Sequence, residues 1–251
     1  MSTNNEYDDF MKLQSLYPRK NSNDFIMPID IRRRIEHGML SYFADEHALV
    51  MLEQREGFYK LHFRLVDTAA TLPSIRGTLA AYLTYHEGRY PGLAADWLRG
   101  QGFVYKKTLL RHTATAITGN LSLEPIEKAS SDEVYSMFGE YFSVVEADLP
   151  PRSLFEAEDT YCRRSPEGEL LGIVYDMGQT RIVAVSPKTR GQGIGRRLYF
   201  AYAIKKVRES PDCVFHEWIS PDNGSSLSMF RSLGFTRDTI MSDCYIREKL
   251  T

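Results

Sequence analysis

Cysteine is scarce in this sequence of 251 residues, which contains only Cys162, Cys213 and Cys244. An odd number at wide, irregular spacing excludes a disulfide framework and does not match the ligand spacing of a zinc site. We therefore expect three small core residues on strands, and no metal. The sequence also lacks any apolar stretch of the roughly 18 to 20 residues that cross a bilayer, and it begins without a signal-peptide pattern. A cytoplasmic protein without membrane contact is expected.

An excess of charge of one sign is also missing. Lys and Arg together number 31 against 33 Asp and Glu, so the formal net charge is -2. No polybasic segment is present, and this balance gives no electrostatic basis for binding nucleic acid. With 43% hydrophobic and 25% charged residues, the composition is that of a soluble globular protein. The length allows one large domain or two of ordinary size.

What the sequence does contain is a dense glycine cluster, since residues 190–195 read Arg-Gly-Gln-Gly-Ile-Gly. The cluster lies between an apolar run at 182–185 and a helical pattern at 196–207. Small residues between a strand and a helix start leave several backbone N–H groups unpaired and directed at one point, which suits a phosphate. The Rossmann spacing and the Walker Gly-Lys-Ser/Thr are both absent, so neither of those nucleotide-binding loops is indicated.

A second motif follows further along the chain. Residues 223–235 read Asn-Gly-Ser-Ser-Leu-Ser-Met-Phe-Arg-Ser-Leu-Gly-Phe, with a small residue three positions after the asparagine and an aromatic residue seven after it. The glycine cluster resembles motif A of the GNAT superfamily of N-acetyltransferases, Gln/Arg-x-x-Gly-x-Gly/Ala, and the second segment resembles motif B. The two motifs together are specific, and the resemblance covers roughly residues 123–251.

A candidate linker at residues 113–120, which are small and uncharged, separates two patterned halves. The first half repeats part of the order of predicted elements of the second, including a Gly-Phe after a short helix, but it has no glycine cluster. In the second half the pattern predicts helices at 131–145, 196–207 and 223–233, strands at 160–163, 170–175, 181–185 and 214–219, and a terminal hairpin with strands near 236 and at 244–247.

The fold class expected from this order is α+β, with mixed α/β layers. The resemblance implies a GNAT-like mixed, mostly antiparallel sheet flanked by helices, in two such domains in tandem. Residues 1–118 would form a degenerate GNAT-like domain without a cofactor loop. Residues 121–251 would form the acyl-CoA-binding catalytic domain.

The resemblance implies acetyl-CoA, or a related acyl-CoA, as the cosubstrate. In this family the strand before motif A separates from its parallel neighbour and offers backbone groups to the pantetheine arm, and the glycine turn cradles the pyrophosphate. The motif A arginines also fit solvated surface charges, and the motif B asparagine also fits a helix N-cap. The residues at the cofactor-binding positions are Val183, Ala184, Val185, Arg190, Gly191, Gln192, Gly193, Ile194, Gly195, Arg196, Asn223, Ser226 and Phe230.

Two positions depart from the family's catalytic pattern. A tyrosine in the motif B helix often protonates the leaving sulfur, but the corresponding residue here is Phe230. Some members carry a glutamate five residues before the motif B asparagine, and this chain has Trp218 there. A phenyl ring cannot donate a proton, and an indole cannot accept one at neutral pH.

Three other residues are candidates for the acid and base. Strand alternation places His216 on the face of Trp218, and an imidazole suits a general base. Glu217 points to the other face unless a bulge intervenes. Tyr245, on the last strand, has a hydroxyl that could protonate the sulfur. Structural roles remain open for all three, as a strand histidine, a carboxyl on the opposite face and a half-buried strand tyrosine.

The function expected is transfer of an acyl group from acetyl-CoA to an amine acceptor. The alternative is a non-catalytic acyl-CoA-binding module, favoured by the two departures and by the degenerate first half. A third possibility is that the duplicated halves mediate dimerisation. The expected partners are acetyl-CoA and the amine, with no nucleic acid and no membrane, and the protein is expected as a monomer or homodimer.

Overall fold

The structure is a computed structural model that describes residues 3–23, 28–119, 121–123, 125–155, 160–178 and 181–248. The chain forms two compact units, the first from Met1–Thr108 with Ile240–Thr251 and the second from Leu109–Thr239. The C-terminal strand is therefore divided, with residues 236–239 in the second unit and residues 240–247 in the first. The assignment of a degenerate and a catalytic domain stays a prediction.

In its described residues, the first unit combines a mostly antiparallel sheet with three helices. Its sheet has the strand order β1-β2-β3-β4-β10, and β3 and β4 are parallel to each other. Its elements are α1 (Thr3–Ser15), α2 (Pro28–Glu36), β1 (Leu40–Ala44), β2 (Ala48–Arg55), β3 (Phe58–Leu65), β4 (Leu79–His86), α3 (Gly92–Gly100), the start of β5 (Val104–Ala114) and the end of β10 (Thr236–Arg247).

The parallel strands β3 and β4 pair over only three positions, from Tyr59 with Leu79 to Leu61 with Ala81. The connection between them, residues 66–78, contains no helix. This agrees with the absence of a glycine cluster in the first half of the sequence. The two parallel strands are thus paired only at their starts, and the connection between them has no helix.

The edge of β3 that diverges from β4 is covered by residues 21–23. The main-chain N–H of Phe63 donates to the side-chain oxygen of Asn23 at 2.7 Å, and the Phe63 carbonyl accepts from the Asn23 N–H at 3.2 Å. The Asn23 side-chain amide donates to the Leu61 carbonyl at 2.8 Å, and the Leu65 N–H donates to the Asn21 carbonyl at 3.0 Å. The chain itself therefore satisfies the backbone groups that diverging strands would offer to a ligand.

The second unit contains a three-stranded antiparallel sheet, β6-β7-β8, and a separate pairing of β9 with β5. Helices cover both faces of the small sheet, because alternate residues of β7 and β8 belong to two different apolar cores. The elements are the end of β5, α4 (Ser131–Tyr141), α5 (Val144–Ala147), β6 (Thr160–Arg164), β7 (Leu170–Asp176), β8 (Arg181–Val185), α6 (Ile194–Glu209), β9 (Phe215–Ile219), α7 (Gly224–Ser232) and the start of β10.

These elements confirm the expected α+β class with a mostly antiparallel sheet and flanking helices. Two local predictions were wrong. The helix predicted at 131–145 is broken, because Phe142 is extended and the Ser143 hydroxyl caps a new helix by accepting from the Glu146 N–H. The predicted terminal hairpin is the single strand β10, whose residues include no glycine or proline to form a turn.

The three cysteines are free thiols, with Cys162 and Cys244 buried and Cys213 half-buried ahead of β9. Within the residues that the structure describes, no three His, Cys, Asp or Glu side chains are grouped so as to hold a metal ion. In the same part of the chain, no helix is long and apolar enough to span a bilayer. The cytoplasmic location stays a prediction.

Candidate active site

The second unit contains an opening between two strands. β8 pairs only with β7 in the small sheet, while β9 pairs with β5, so in the described part of the unit no backbone pairing joins β8 to β9. A side chain bridges the starts of the two strands, since the Arg181 guanidinium lies 5.3 Å from the ring centre of Phe215. Among the described residues, β8 and β9 are therefore connected near their starts by a side chain and not by backbone pairing.

The glycine cluster forms a turn between β8 and α6. Gly191 and Gly193 have φ of 79° and 74°, in the left-handed region that glycine adopts without steric cost. Gly193 is the N-cap of α6, and the first backbone hydrogen bond of the helix joins the Arg197 N–H to the Gly193 carbonyl at 3.1 Å. The amides of residues 194–196 precede that bond and have no partner one turn back in the helix.

The start of α6 is packed tightly against β8 and α7. A Cβ at Gly195 would lie 3.1 Å from Val185 Cγ2 and 3.3 Å from Met229 Sδ. Ile194 and Gly195 are buried, while residues 191–193 are exposed. The third glycine of the cluster therefore serves close packing of the helix on the strand, and the first two shape the exposed turn.

The open edge of β8 is formed by alternate residues. The Val185 carbonyl accepts a hydrogen bond from Arg190 Nε at 3.3 Å, so it faces away from β7, and alternation directs the backbone of Val183 to the same side. The Ser186 N–H donates to the Leu171 carbonyl at 3.0 Å, which directs Ser186, and by alternation Ala184, towards β7. Of the three predicted strand residues, Val183 and Val185 are the ones with backbone groups at the opening.

The arginines around the turn differ in their contacts. Arg190 lies back along β8, with its guanidinium 5.4 Å from the ring centre of Tyr141. Arg197, which the sequence analysis did not single out, donates from Nη1 to the Gln192 carbonyl at 3.0 Å and so braces the turn. Arg196 is half-buried, and its Nε has no hydrogen-bond partner among the described residues.

Helix α7 places the motif B residues. Asn223 is its N-cap, and the side-chain oxygen accepts from the Ser226 N–H at 3.1 Å and from the Ser225 hydroxyl at 3.0 Å. Phe230 is only 5% exposed and packs edge to face on Tyr199, with ring centres 4.9 Å apart. The capping role of Asn223 is thus present, and Phe230 is a core residue of the second unit.

His216 lies half-buried on the face of β9 opposite to the core residues Phe215 and Glu217. Its Nδ1 is 3.1 Å from the hydroxyl of Thr113, its cross-strand neighbour on β5. Burial, followed by the positive charge of Arg111, lowers the pKa of His216 below its usual 6.5. The lowered pKa favours the neutral imidazole, which is the form that can accept a proton.

Glu217 points to the other face of β9, as alternation predicts, and its carboxyl is buried beneath α6. The Tyr199 hydroxyl donates to it, and Arg181 Nη1 lies 3.8 Å away. Burial raises the pKa of Glu217 to about 8. The same buried group includes Asp176, which accepts from the Tyr202 hydroxyl at 2.7 Å. The contacts of Glu217 are those of a core polar network.

Tyr245 is part of the first unit and is 1% exposed within its main apolar core. Its hydroxyl is 2.9 Å from that of Tyr90, and its ring packs edge to face on Tyr105. Burial raises the pKa of Tyr245 above its ordinary value. The structure therefore gathers the glycine turn, β8, α7, His216 and Glu217 in one unit and places Tyr245 in the core of the other.

Known proteins resemble this chain in sequence and in fold. The sequence profile of the Acetyltransferase (GNAT) family matches residues 131–235. A mycothiol acetyltransferase from Mycobacterium sp. (strain JLS) is 29% identical over 99 residues, which are 36% of this chain and 31% of that protein. Another from Paenarthrobacter aurescens (strain TC1) is 26% identical over 122 residues, 43% of this chain and 38% of that protein. These matches span about a third of the relatives' own length.

Solved structures resemble the chain over nearly its whole length. A tandem GNAT protein from the clavulanic acid biosynthesis pathway has a TM-score of 0.59 at 11% identity, over 99% of this chain and 97% of that one. A GNAT-family acetyltransferase from Colwellia psychrerythraea has a TM-score of 0.56 at 14% identity, over 96% of this chain and 97% of that one. At such low identity the likeness concerns the fold. Residues 131–235 thus match the acetyltransferase (GNAT) family, and the fold of the whole chain resembles that of a tandem GNAT protein.

Proposed function

We propose that the protein is an acyl-CoA-dependent N-acyltransferase. It would move an acetyl group from acetyl-CoA to a primary amine of a small molecule or peptide, by direct attack in a ternary complex. One observation carries the proposal: the exposed glycine turn and the first amides of α6 adjoin the edge of β8 that faces away from β7. A diphosphate and a peptide-like pantetheine arm are the chemical groups that these two features suit.

The fit to a diphosphate rests on the shape of the turn. A Cβ added at Gly191 would meet no atom within 4 Å, so an anion can approach its backbone closely. The helix start contributes a partial positive charge. Arg196, half-buried in the first turn of α6, is the side chain whose positive charge we assign to the phosphates. Arg190 instead contacts the Val185 carbonyl and would give up that bond when a pantetheine amide takes its place.

The chemistry of transfer draws on few groups. The main-chain N–H of Val185 is our candidate for polarising the thioester carbonyl, because a backbone donor at the strand end stabilises the developing oxyanion. The spare side-chain N–H groups of Asn223 are available to a pantetheine carbonyl, since its oxygen is used by the cap. Phe230 provides no proton for the thiolate, so we assign that proton to solvent.

Titration calorimetry with acetyl-CoA, together with thermal unfolding, tests this proposal. At an acetyl-CoA concentration of about a hundred times the dissociation constant, binding at one site stabilises the folded state by ~2.7 kcal/mol. An unchanged unfolding temperature in millimolar acetyl-CoA would contradict the proposal. A screen of amines for release of free coenzyme A thiol then identifies the acceptor class.

A second candidate is a non-catalytic acyl-CoA-binding module, and the buried phenyl ring of Phe230 at the usual position of the acid favours it. The two functions predict the same binding isotherm but different turnover. Thiol release with any amine rejects the binding module. Tight binding without release across primary amines, amino acids and peptides supports it.

A further inference from the structure

Four side chains on three strands of the second unit form a continuous hydrogen-bonded chain on one face. His216 Nδ1 lies 3.1 Å from the Thr113 hydroxyl, and that hydroxyl lies 2.9 Å from Asp238 Oδ2. Arg111 Nε donates to the same carboxylate oxygen at 2.6 Å. The residues come from β9, β5 and β10, and none of them belongs to either sequence motif.

The direction of these hydrogen bonds follows from the chemistry of the groups. An ionised carboxylate can only accept, so the single hydrogen of the Thr113 hydroxyl must be donated to Asp238. The hydroxyl oxygen then has only lone pairs to offer to His216. His216 Nδ1 must therefore carry the hydrogen and donate it to Thr113, and in the neutral imidazole the lone pair lies on Nε2.

We propose that Thr113 and Asp238 are positioning residues that fix His216 as the Nδ1–H tautomer, so that Nε2 is the general base for the incoming amine. This inference rests on the proposed function. Nε2 takes a proton from the substrate ammonium, and the freed lone pair forms the C–N bond to the acetyl carbon as the C–S bond breaks. Of the two protons left on the attacking nitrogen, one passes through solvent to the thiolate and the other stays on the amide product, and His216 later releases its own proton to solvent.

The role assigned to Asp238 is electrostatic as well as geometric. When His216 becomes an imidazolium, its Nδ1–H bond to Thr113 transmits the attraction of the carboxylate. Arg111 holds that carboxylate in place by donating to the oxygen that Thr113 also contacts. In other histidine bases a carboxylate accepts directly from the imidazole, orients it and stabilises its charged form. Asp238 has the same two effects on His216, but it acts through the Thr113 hydroxyl that lies between them.

The test combines spectroscopy with kinetics. Long-range proton–nitrogen NMR correlations of the histidine rings report which nitrogen carries hydrogen, and loss of one ring's signals in H216Q assigns His216. We expect the Nδ1–H form in the wild-type protein and in T113S, and loss of this preference in T113V. Because a positioned base contributes about 10² to 10⁴ in rate, kcat/KM should fall by at least about 10² in H216Q and in T113V, with unchanged acetyl-CoA affinity.

A matched control is available on the same two strands. The Thr108 hydroxyl of β5 donates to Asp243 of β10 at 2.6 Å, and the structure records no histidine in that contact. T108V removes a similar hydroxyl–carboxylate bond and should leave the His216 tautomer and kcat/KM near wild-type values. A fall in activity in T108V equal to that in T113V would indicate a structural effect and overturn the inference.

The possible failures are distinguishable. Turnover by a protein in which His216 is the Nε2–H tautomer, or equal kcat/KM for T113V and wild type, overturns this inference and leaves the proposed function intact. Acetyl-CoA binding without turnover of any amine overturns the enzyme assignment, and with it the role of His216 as a base. Recovery of both tautomer and rate in T113S supports the inference, because serine restores only the hydroxyl.

Discussion

Phe63 and Asn23 pair in the first unit as two strand residues would, through the Phe63 N–H to the Asn23 side chain and the Asn23 N–H to the Phe63 carbonyl. If the first unit is a degenerate copy of the second, as the sequence predicts, this pairing covers the strand edge equivalent to the open edge of β8. We therefore predict that titration calorimetry finds one acetyl-CoA per chain. A stoichiometry of two would show that the first unit also binds the cosubstrate.

The same pairing should contribute to stability. N23A leaves the buried Phe63 N–H and Leu61 carbonyl without their partners, at a cost of ~2 kcal/mol in the free energy of unfolding. Denaturant unfolding measures it. S22A, which removes only a local hydroxyl bond to the Arg19 carbonyl, is the control and should differ little from wild type. Equal stability of both variants would mean that the covering segment is not held by Asn23.

The glycine turn should be intolerant of a side chain. In G193A the positive φ of residue 193 strains the backbone by ~1 kcal/mol. The new Cβ would also lie 3.1 Å from Arg197 Nη1 and disturb its hydrogen bond to the Gln192 carbonyl. We expect at least about tenfold weaker binding of acetyl-CoA, or ~1.4 kcal/mol. G168A imposes similar strain at φ 88° in the β6–β7 turn, where a Cβ would meet nothing within 4 Å. If both variants bind equally well, the turn is not the cosubstrate site.

The buried carboxyl of Glu217 should make stability depend on pH. Its folded-state pKa of about 8 is raised from an ordinary 4.5, so the stabilisation it gives is complete below about 4.5 and is lost as pH rises through about 8. At ~1.4 kcal/mol per pKa unit, the loss is a few kcal/mol. E217Q retains a partner for the Tyr199 hydroxyl and should flatten the curve of unfolding temperature between pH 5 and about 9. An unchanged slope would contradict a raised pKa.

The pH dependence of turnover should report His216. Because burial and Arg111 lower its pKa, with Arg181 acting in the same direction and Asp238 opposing, the acidic limb of kcat/KM should lie below 6.5. R111Q removes a positive charge and should move this limb to higher pH. Initial rates from pH 5 to about 8 provide the measurement. A limb that stays in place in R111Q, or that persists in H216Q, would assign it to another group.

Local patterns in the sequence were sufficient to predict the two elements on either side of the glycine turn, β8 and α6. Strand β8 was predicted at the residues where it occurs, and α6 was predicted two residues short at each end. Apolar spacing and glycine clusters are properties of neighbouring residues, and a single sequence shows them directly. The family motifs then located the turn between them.

Contacts between distant residues could not be predicted in this way. Thr113 lies 103 residues from His216 and 125 from Asp238, and no periodic pattern links them. The brace from Arg197 to Gln192 depends on the course of the turn, which its composition alone does not give. Tyr245 fits the pattern of a strand tyrosine, but its place in the first unit follows from the spatial course of β10.

The most direct measurement for the central claim is a titration of isotopically labelled protein with coenzyme A, followed by amide proton–nitrogen NMR. The account predicts that the largest shifts occur at the amides of residues 191–196 and at Val183 and Val185, and that the residues 21–23 remain unchanged. Shifts confined to other parts of the chain, with the turn unaffected at saturation, would contradict it.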